Sequence, residues 1–144
     1  MFIMSILKRI KLAIPVVITI WMGVTICKAQ LPAFPGAQGF GRFATGGRGG
    51  EVYHVTNLND VGAGSFRDAV SKPNRIVVFD VGGVININER IVVYRNIYVA
   101  GQTAPGGGIT IYGNGLAFNG SSGNNIIRYI RIRMGKMEMP VKML

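Results

Sequence analysis

Polar and apolar residues divide the chain into three textures. Residues 12–26 form one apolar run, interrupted only by Thr19 and Thr25. Residues 31–50 show neither a helical nor a strand period and are rich in Gly and Pro. This predicts a tightly folded coil, with Phe34, Phe40 and Phe43 as its buried anchors. Beyond it the pattern turns to short β-rich runs. Glu51-Val-Tyr-His-Val-Thr56 alternates as a half-buried strand does, and residues 57–64 carry turn chemistry. Residues 65–70 read as one or two helical turns. Ser65 can cap them, and Asp68 stands at the capping-box position.

A ladder of strands follows at 75–80, 84–88, 90–94, 96–101, 108–112, 116–118 and 125–133, broken by Gly, Asn and Pro. Many short strands with almost no helix define an all-β fold, and a sandwich or barrel is one solution. The spacing favours another. Ile76-Val-Val-Phe-Asp-Val81, Ile97-Tyr-Val-Ala-Gly101 and Ile126-Ile-Arg-Tyr-Ile130 resemble one another, and their starts are 21 and 29 residues apart. One coil of a parallel β-helix consumes a stretch of this order. Asn57, Asn96 and Asn125 sit beside strand ends, where an Asn suits a sharp corner.

The N-terminus changes the accounting. Lys8, Arg9 and Lys11 precede the apolar run, and Cys27-Lys28-Ala29 places small residues at −3 and −1 of a cleavage site, so residues 1–29 read as a secretory signal. The run is short for a membrane span, and Pro15 interrupts it. An uncleaved anchor is the alternative. Ile26 is too large for a lipoprotein cleavage site at Cys27. Cleavage lowers the net charge from +10 to +6 and removes the only cysteine. The product then has no disulfide, no thiol and no membrane segment.

Several ordered stretches resemble the opening of bacterial pectate lyase-like proteins. They are Ala33-Phe-Pro-Gly-Ala-Gln-Gly-Phe-Gly-Arg42, Thr45-Gly-Gly-Arg-Gly-Gly50, Val52-Tyr-His-Val-Thr-Asn-Leu-Asn-Asp60, Gly64-Ser-Phe-Arg-Asp-Ala-Val70, Ile76-Val-Val-Phe-Asp-Val-Gly-Gly83, Ala100-Gly-Gln-Thr-Ala-Pro-Gly106 and Asn125-Ile-Ile-Arg-Tyr-Ile-Arg-Ile-Arg-Met-Gly135. The resemblance implies a right-handed parallel β-helix, here its first coils only, spanning residues 30–136. It also implies a secreted or periplasmic bacterial enzyme that cleaves pectate by calcium-assisted β-elimination. That chemistry needs a base, a cation on the uronate carboxylate and stabilisation of the resulting anion. In the family an Arg on later coils is the base, and clustered acids hold the calcium.

Those residues are not found here. Glu51, Asp60, Asp68, Asp80 and Glu89 are well separated, whereas calcium wants several converging oxygens. No catalytic residue, metal ligand or cofactor is therefore assigned to this chain, and the fragment itself is expected to be inactive. The expected partner is an acidic polysaccharide, bound by a monomer. Arg131 and Arg133 share a face by the two-residue period and are the candidates for lining its groove, with a solvated face as the bland alternative. Arg128 points the other way. His54 lacks a ligand set at motif spacing and reads as structural. Gly39-Phe-Gly-Arg-Phe-Ala44 matches a loose dinucleotide pattern without the strand and helix that pattern needs. Asn119-Gly-Ser121 fits the N-glycosylation pattern, which means little in a bacterial setting.

Residues 137–144 fall outside the resemblance. One adenine removed from the coding run at Lys136 turns a family-like Asn-Gly-Asn-Ala-Gly-Lys-Asp-Ala into Met-Glu-Met-Pro-Val-Lys-Met-Leu, so they read as an out-of-frame tail. A short natural paralogue with a divergent end is the alternative. A β-helix without its later coils exposes strand edges, so an aggregation-prone product is expected. A non-catalytic β-helix, carbohydrate-binding or adhesin-like, remains a second functional class. Nucleic-acid binding is not supported, since no such motif accompanies the positive charge.

Overall fold

The computed structural model describes residues 30–120 and 122–135. The signal and tail expected from the sequence lie outside these residues. Among the described residues nine short strands wind into a parallel β-helix: β1 Glu51–Val55, β2 Arg75–Phe79, β3 Gly83–Ile87, β4 Ile91–Val92, β5 Ile97–Ala100, β6 Ile109–Gly113, β7 Leu116–Ala117, β8 Ile126–Arg128 and β9 Ile130–Met134. They stack into three sheets, ordered β1-β2-β5-β8, β3-β6-β9 and β4-β7, and every pairing is parallel. The runs beginning at Ile76, Ile97 and Ile126 lie one above another in the first sheet, as their spacing predicts, and β1 adds a fourth rung.

Register decides what each side chain does. In the first sheet Tyr53, Val77, Val99 and Ile127 form one column, and Val52, Ile76, Tyr98 and Ile126 the next. The first column points inward: Val77 and Val99 are fully buried, and Tyr53 and Ile127 pack against the core. In the second sheet Ile85 and Ile111 stack inward, with Ile132 as the third rung. The two-residue period thus turns alternating sequence into continuous apolar columns.

In the first turn a helix, α1 Phe66–Ala69, stands where later turns carry strands. Ser65 Oγ accepts from the Asp68 amide at 3.2 Å, as a cap should. The reciprocal half of the expected capping box is absent, because the Asp68 carboxylate instead accepts from the Tyr53 hydroxyl. Phe66 is fully buried and its ring stacks on Phe79 at 5.9 Å, sealing the core beneath α1. Arg75 is buried with its guanidinium on the Asp68 and Ala69 carbonyls at 2.9 and 3.3 Å, which satisfies the helix C-terminus. Its other bond goes to Glu51 at 2.9 Å.

The corners are set by asparagine, though not all by those expected. Asn74, Asn96 and Asn124 adopt φ of 61°, 56° and 61°. Their side chains form a ladder, Asn96 Nδ2 to Asn74 Oδ1 and Asn124 Nδ2 to Asn96 Oδ1, each 2.8 Å. Asn57 instead organises its own turn, accepting from the Asn59 amide at 3.1 Å. Asn125 accepts from the Ile97 amide at 2.8 Å.

Two expectations need correction. Residues 125–133 are not one strand. Tyr129, at φ 57°, breaks the run into β8 and β9, which belong to different sheets. The aromatics of residues 31–50 are also not buried anchors. Phe40 and Phe43 are exposed, and Phe34 is half-buried under the Arg128 guanidinium at 4.1 Å. What packs is the glycine backbone. This segment runs across the first sheet as a strap, from Thr45 on Asn124, past Tyr98, to Gly47 and Gly50 over the Arg75 and Asn74 carbonyls. A Cβ on Gly47 would lie 1.9 Å from the Arg75 oxygen and one on Gly50 2.0 Å from the Asn74 oxygen, so no side chain fits at either. The strap also buries Ile126, which belongs to the outward column.

Candidate functional site

The outward face of the second sheet collects the sequence-predicted pair. Register places Val84, Thr110 and Arg131 in one row and Asn86, Tyr112 and Arg133 in the next. Arg131 and Arg133 therefore do share a face, each beside a hydroxyl-bearing neighbour from the preceding coil. Both are exposed, and Tyr112 is 46% exposed. Sequence reasoning missed Thr110 and Tyr112. Only the coil register, which aligns residues about twenty positions apart, brings them beside the arginines.

A shallow groove runs along Arg131, bounded by Gly106, Gly107, Gly108 and Thr110. Arg131 Nη1 donates to the Gly107 carbonyl at 2.8 Å, which fixes the guanidinium against the loop before β6. A guanidinium held this way offers its remaining N–H donors to a carboxylate in a geometry suited to bidentate bonding. Tyr112 adds a flat apolar surface with a polar tip. Arg128 does not join this face. It lies in the first sheet, between the Phe34 ring at 4.1 Å and the Tyr129 ring at 4.9 Å.

Four of the acids, Glu51, Asp60, Asp68 and Asp80, serve other bonds. Arg67 binds Asp60 and also donates to the Glu89 and Arg90 carbonyls at 2.8 and 3.3 Å, tying the turn after β1 to the end of β3. Burial alone would raise the Asp60 pKa, but the Asn88 amide at 2.9 Å and the Arg67 guanidinium outweigh it and hold the carboxyl below its ordinary range. The Tyr53 hydroxyl donates to Asp68 and accepts from the Gly64 amide at 2.9 Å. The Asp68 bond is the main reason its pKa is raised. His54 Nδ1 meets Asp80 at 2.9 Å on the surface.

These commitments bear on calcium. Asp60, Asp68, Asp80 and Glu51 each engage a different donor, and among the described residues no three His, Cys, Asp or Glu side chains come together as a metal site would require. No chemical step through a calcium ion is assigned to the described residues. No helix among the described residues is long and apolar enough to cross a membrane.

The fold and face define the class: coils of a parallel β-helix presenting a cationic, aromatic surface. Comparison with known proteins narrows it. The chain is 66% identical over 108 residues, 75% of its length, to a protein named probable pectate lyase C from Aspergillus flavus. It is 60% identical over 116 residues to the protein of that name from Aspergillus terreus, and 63% over 113 to that from Emericella nidulans. At such identity the matched stretch is homologous to part of those pectate lyases. The chain spans about a quarter of their length, 26%, 27% and 27% respectively. These relatives are fungal, so they lend no support to the bacterial qualifier of the resemblance. No family model matches the chain.

Proposed function

We propose that this chain is a piece of a secreted pectate lyase-like protein, and that its outward second-sheet face contributes binding of an acidic polysaccharide rather than chemistry. The carrying observation is the adjacency of Thr110 to Arg131 and of Tyr112 to Arg133 on one exposed face. Cationic side chains at alternate strand positions, roughly 6–7 Å apart along β9, meet successive carboxylates of a polyuronate, and the tyrosine supports a sugar ring. The relatives' name supplies the substrate class. The export reading rests on the apolar run and cleavage pattern of residues 1–29. The base and the calcium-binding acids of a lyase would come from polypeptide other than the residues described.

A second reading, a binding protein without catalysis, is favoured by one observation: Glu51, Asp60 and Asp68 are spent on structural bonds. Both readings share the face and part over turnover.

Affinity electrophoresis through gels containing polygalacturonate tests the shared claim. The combined Arg131→Ala and Arg133→Ala chain should bind about tenfold more weakly, or about 1.4 kcal/mol. The wild-type affinity should fall as salt is raised. Equal retardation of both chains would remove the face from the account. Release of unsaturated uronides by the wild-type chain alone would show that the chemistry lies within it after all.

A further inference from the structure

Three guanidinium groups converge where the strap begins. Arg48 Nη2 donates to the Pro32 and Ala33 carbonyls at 3.1 and 3.5 Å. The Ala33 amide donates to the Arg42 carbonyl at 2.7 Å, which brings Arg42 alongside. Phe34, the next residue, lies under the Arg128 guanidinium at 4.1 Å. The stretch from Pro32 to Phe34 therefore touches Arg48, Arg42 and Arg128, although Arg128 comes from β8. Residues 31–50 contain no Asp or Glu. Among the described residues none of these three arginines meets a carboxylate, whereas Arg67 and Arg75 are held by Asp60 and Glu51.

Rings and carbonyls hold the three cations instead. Arg42 lies over the Phe43 ring at 4.6 Å, and Arg128 between those of Phe34 and Tyr129. A ring against its face anchors a guanidinium and leaves the edge N–H groups free to meet a carboxylate in plane. Phe40 and Phe43 open and close a 3-10 turn, Phe40–Phe43, in which side chains three apart eclipse and share one side. Phe40 is fully exposed, and Tyr129 is 64% exposed. Such rings offer a flat platform to a sugar, and the arginines beside them offer paired donors to its carboxylate.

We propose that the strap carries a second contact for acidic polysaccharide, centred on Arg42 and Arg128 with Phe40 and Tyr129 as sugar platforms. It lies on the first-sheet side of the coil, apart from the Arg131 and Arg133 face. The proposal takes its substrate class, a polyuronate, from the preceding reading, but none of its residues. Charge complementarity commits the occupant, and the exposed rings narrow it: a polyanion without sugar rings would meet the cations and gain nothing from Phe40. Two contacts on one protein grip a long polymer together, so loss of either weakens retention without abolishing it.

Affinity electrophoresis of the full chain tests this, in gels containing polygalacturonate and in gels containing polyglutamate, a carboxylate polymer without sugars. Each strap variant is made both in the wild-type chain and in the chain carrying Arg131→Ala and Arg133→Ala. Arg42→Ala combined with Arg128→Ala should weaken polygalacturonate binding about tenfold in either background. Phe40→Ala removes a ring that packs on nothing and so leaves the strap in place. It should weaken polygalacturonate binding about threefold and leave polyglutamate binding unchanged. Arg90→Ala, which removes one exposed charge beside the third sheet, should change neither. Loss in the strap variants with none from Arg131 and Arg133 would remove the second-sheet face and leave the strap contact standing. Unchanged retention of the strap variants, an equal loss from Arg90→Ala, or an equal effect of Phe40→Ala on both polymers would overturn the proposal.

Discussion

Thr45 and Asn124 meet across 79 positions of sequence, with the Thr45 amide donating to Asn124 Oδ1 at 2.8 Å and Asn124 Nδ2 donating back to Thr45 Oγ1 at 2.6 Å. This reciprocal pair fastens the glycine-rich strap to the last coil described and ends the asparagine ladder. The strap and ladder are thus one device, holding the corners of successive turns in register.

The ladder's middle rung should be its most sensitive position. Asn96 stands at φ 56° with its amide bonded both above and below. Asn96→Ala loses these bonds and places alanine in the left-handed region, costing about 2–3 kcal/mol. Asn96→Gly loses the bonds but not the conformation and should recover about 1 kcal/mol of that. Urea denaturation of the three chains checks the order. Equal stability of the Ala and Gly variants would contradict the role given to the corner conformation.

Gly47 tests the strap. A methyl there collides with the Arg75 carbonyl, so Gly47→Ala should cost about 1–3 kcal/mol or lift the strap from the sheet. Limited proteolysis would then cut within residues 31–50 before the coils. Gly41→Ala meets nothing within 4 Å and should be neutral to about 0.5 kcal/mol.

The Asp60–Arg67 pair predicts acid sensitivity. The Asp60 carboxyl titrates below its ordinary value in the folded state. Its contribution is therefore complete above the unfolded carboxylate pKa and is lost as pH falls through the folded value. Asp60→Asn should flatten that acid limb and cost about 2–3 kcal/mol at neutral pH, less than a fully buried pair because Arg67 is a quarter exposed. Urea midpoints between neutral and strongly acid pH measure both effects.

Tyr53 predicts the opposite limb. Its folded pKa is raised, chiefly by the bond to Asp68, so the stability it confers is full below the ordinary tyrosine pKa and declines as pH rises through the folded value. Tyr53→Phe strands the Gly64 amide and frees the Asp68 carboxylate, costing about 1–2 kcal/mol, and should abolish the alkaline decline. Ultraviolet titration of tyrosine alongside melting curves follows it.

The stacked runs at Ile76, Ile97 and Ile126 were legible because β-branched segments recur at coil-sized intervals between turn residues. α1 was legible from Ser65. The break at Tyr129 was not, since an aromatic residue in the left-handed region leaves no signature in a run that otherwise reads as continuous strand. The strap misled for a related reason: backbone fills the space there, so glycine marks the contact and Phe40 and Phe43 face outward. Arg131 and Arg133 could be paired by simple alternation along one strand. Their neighbours Thr110 and Tyr112 come from another coil, and the loop lengths that align them have no periodic trace.

The adjacency of those four residues is the account's central claim, and crosslinking tests it most directly. With Cys27 replaced by Ser, cysteines would be introduced in pairs at Thr110 and Arg131, and at Tyr112 and Arg133. Parallel neighbours on adjacent strands, about 4.8 Å apart, lie within disulfide reach. Both pairs should oxidise readily, while Thr110 with Arg133 should not. Crosslinking of one aligned pair but not the other, as an antiparallel pairing of β6 with β9 would give, would contradict the stacked coil and the face built on it.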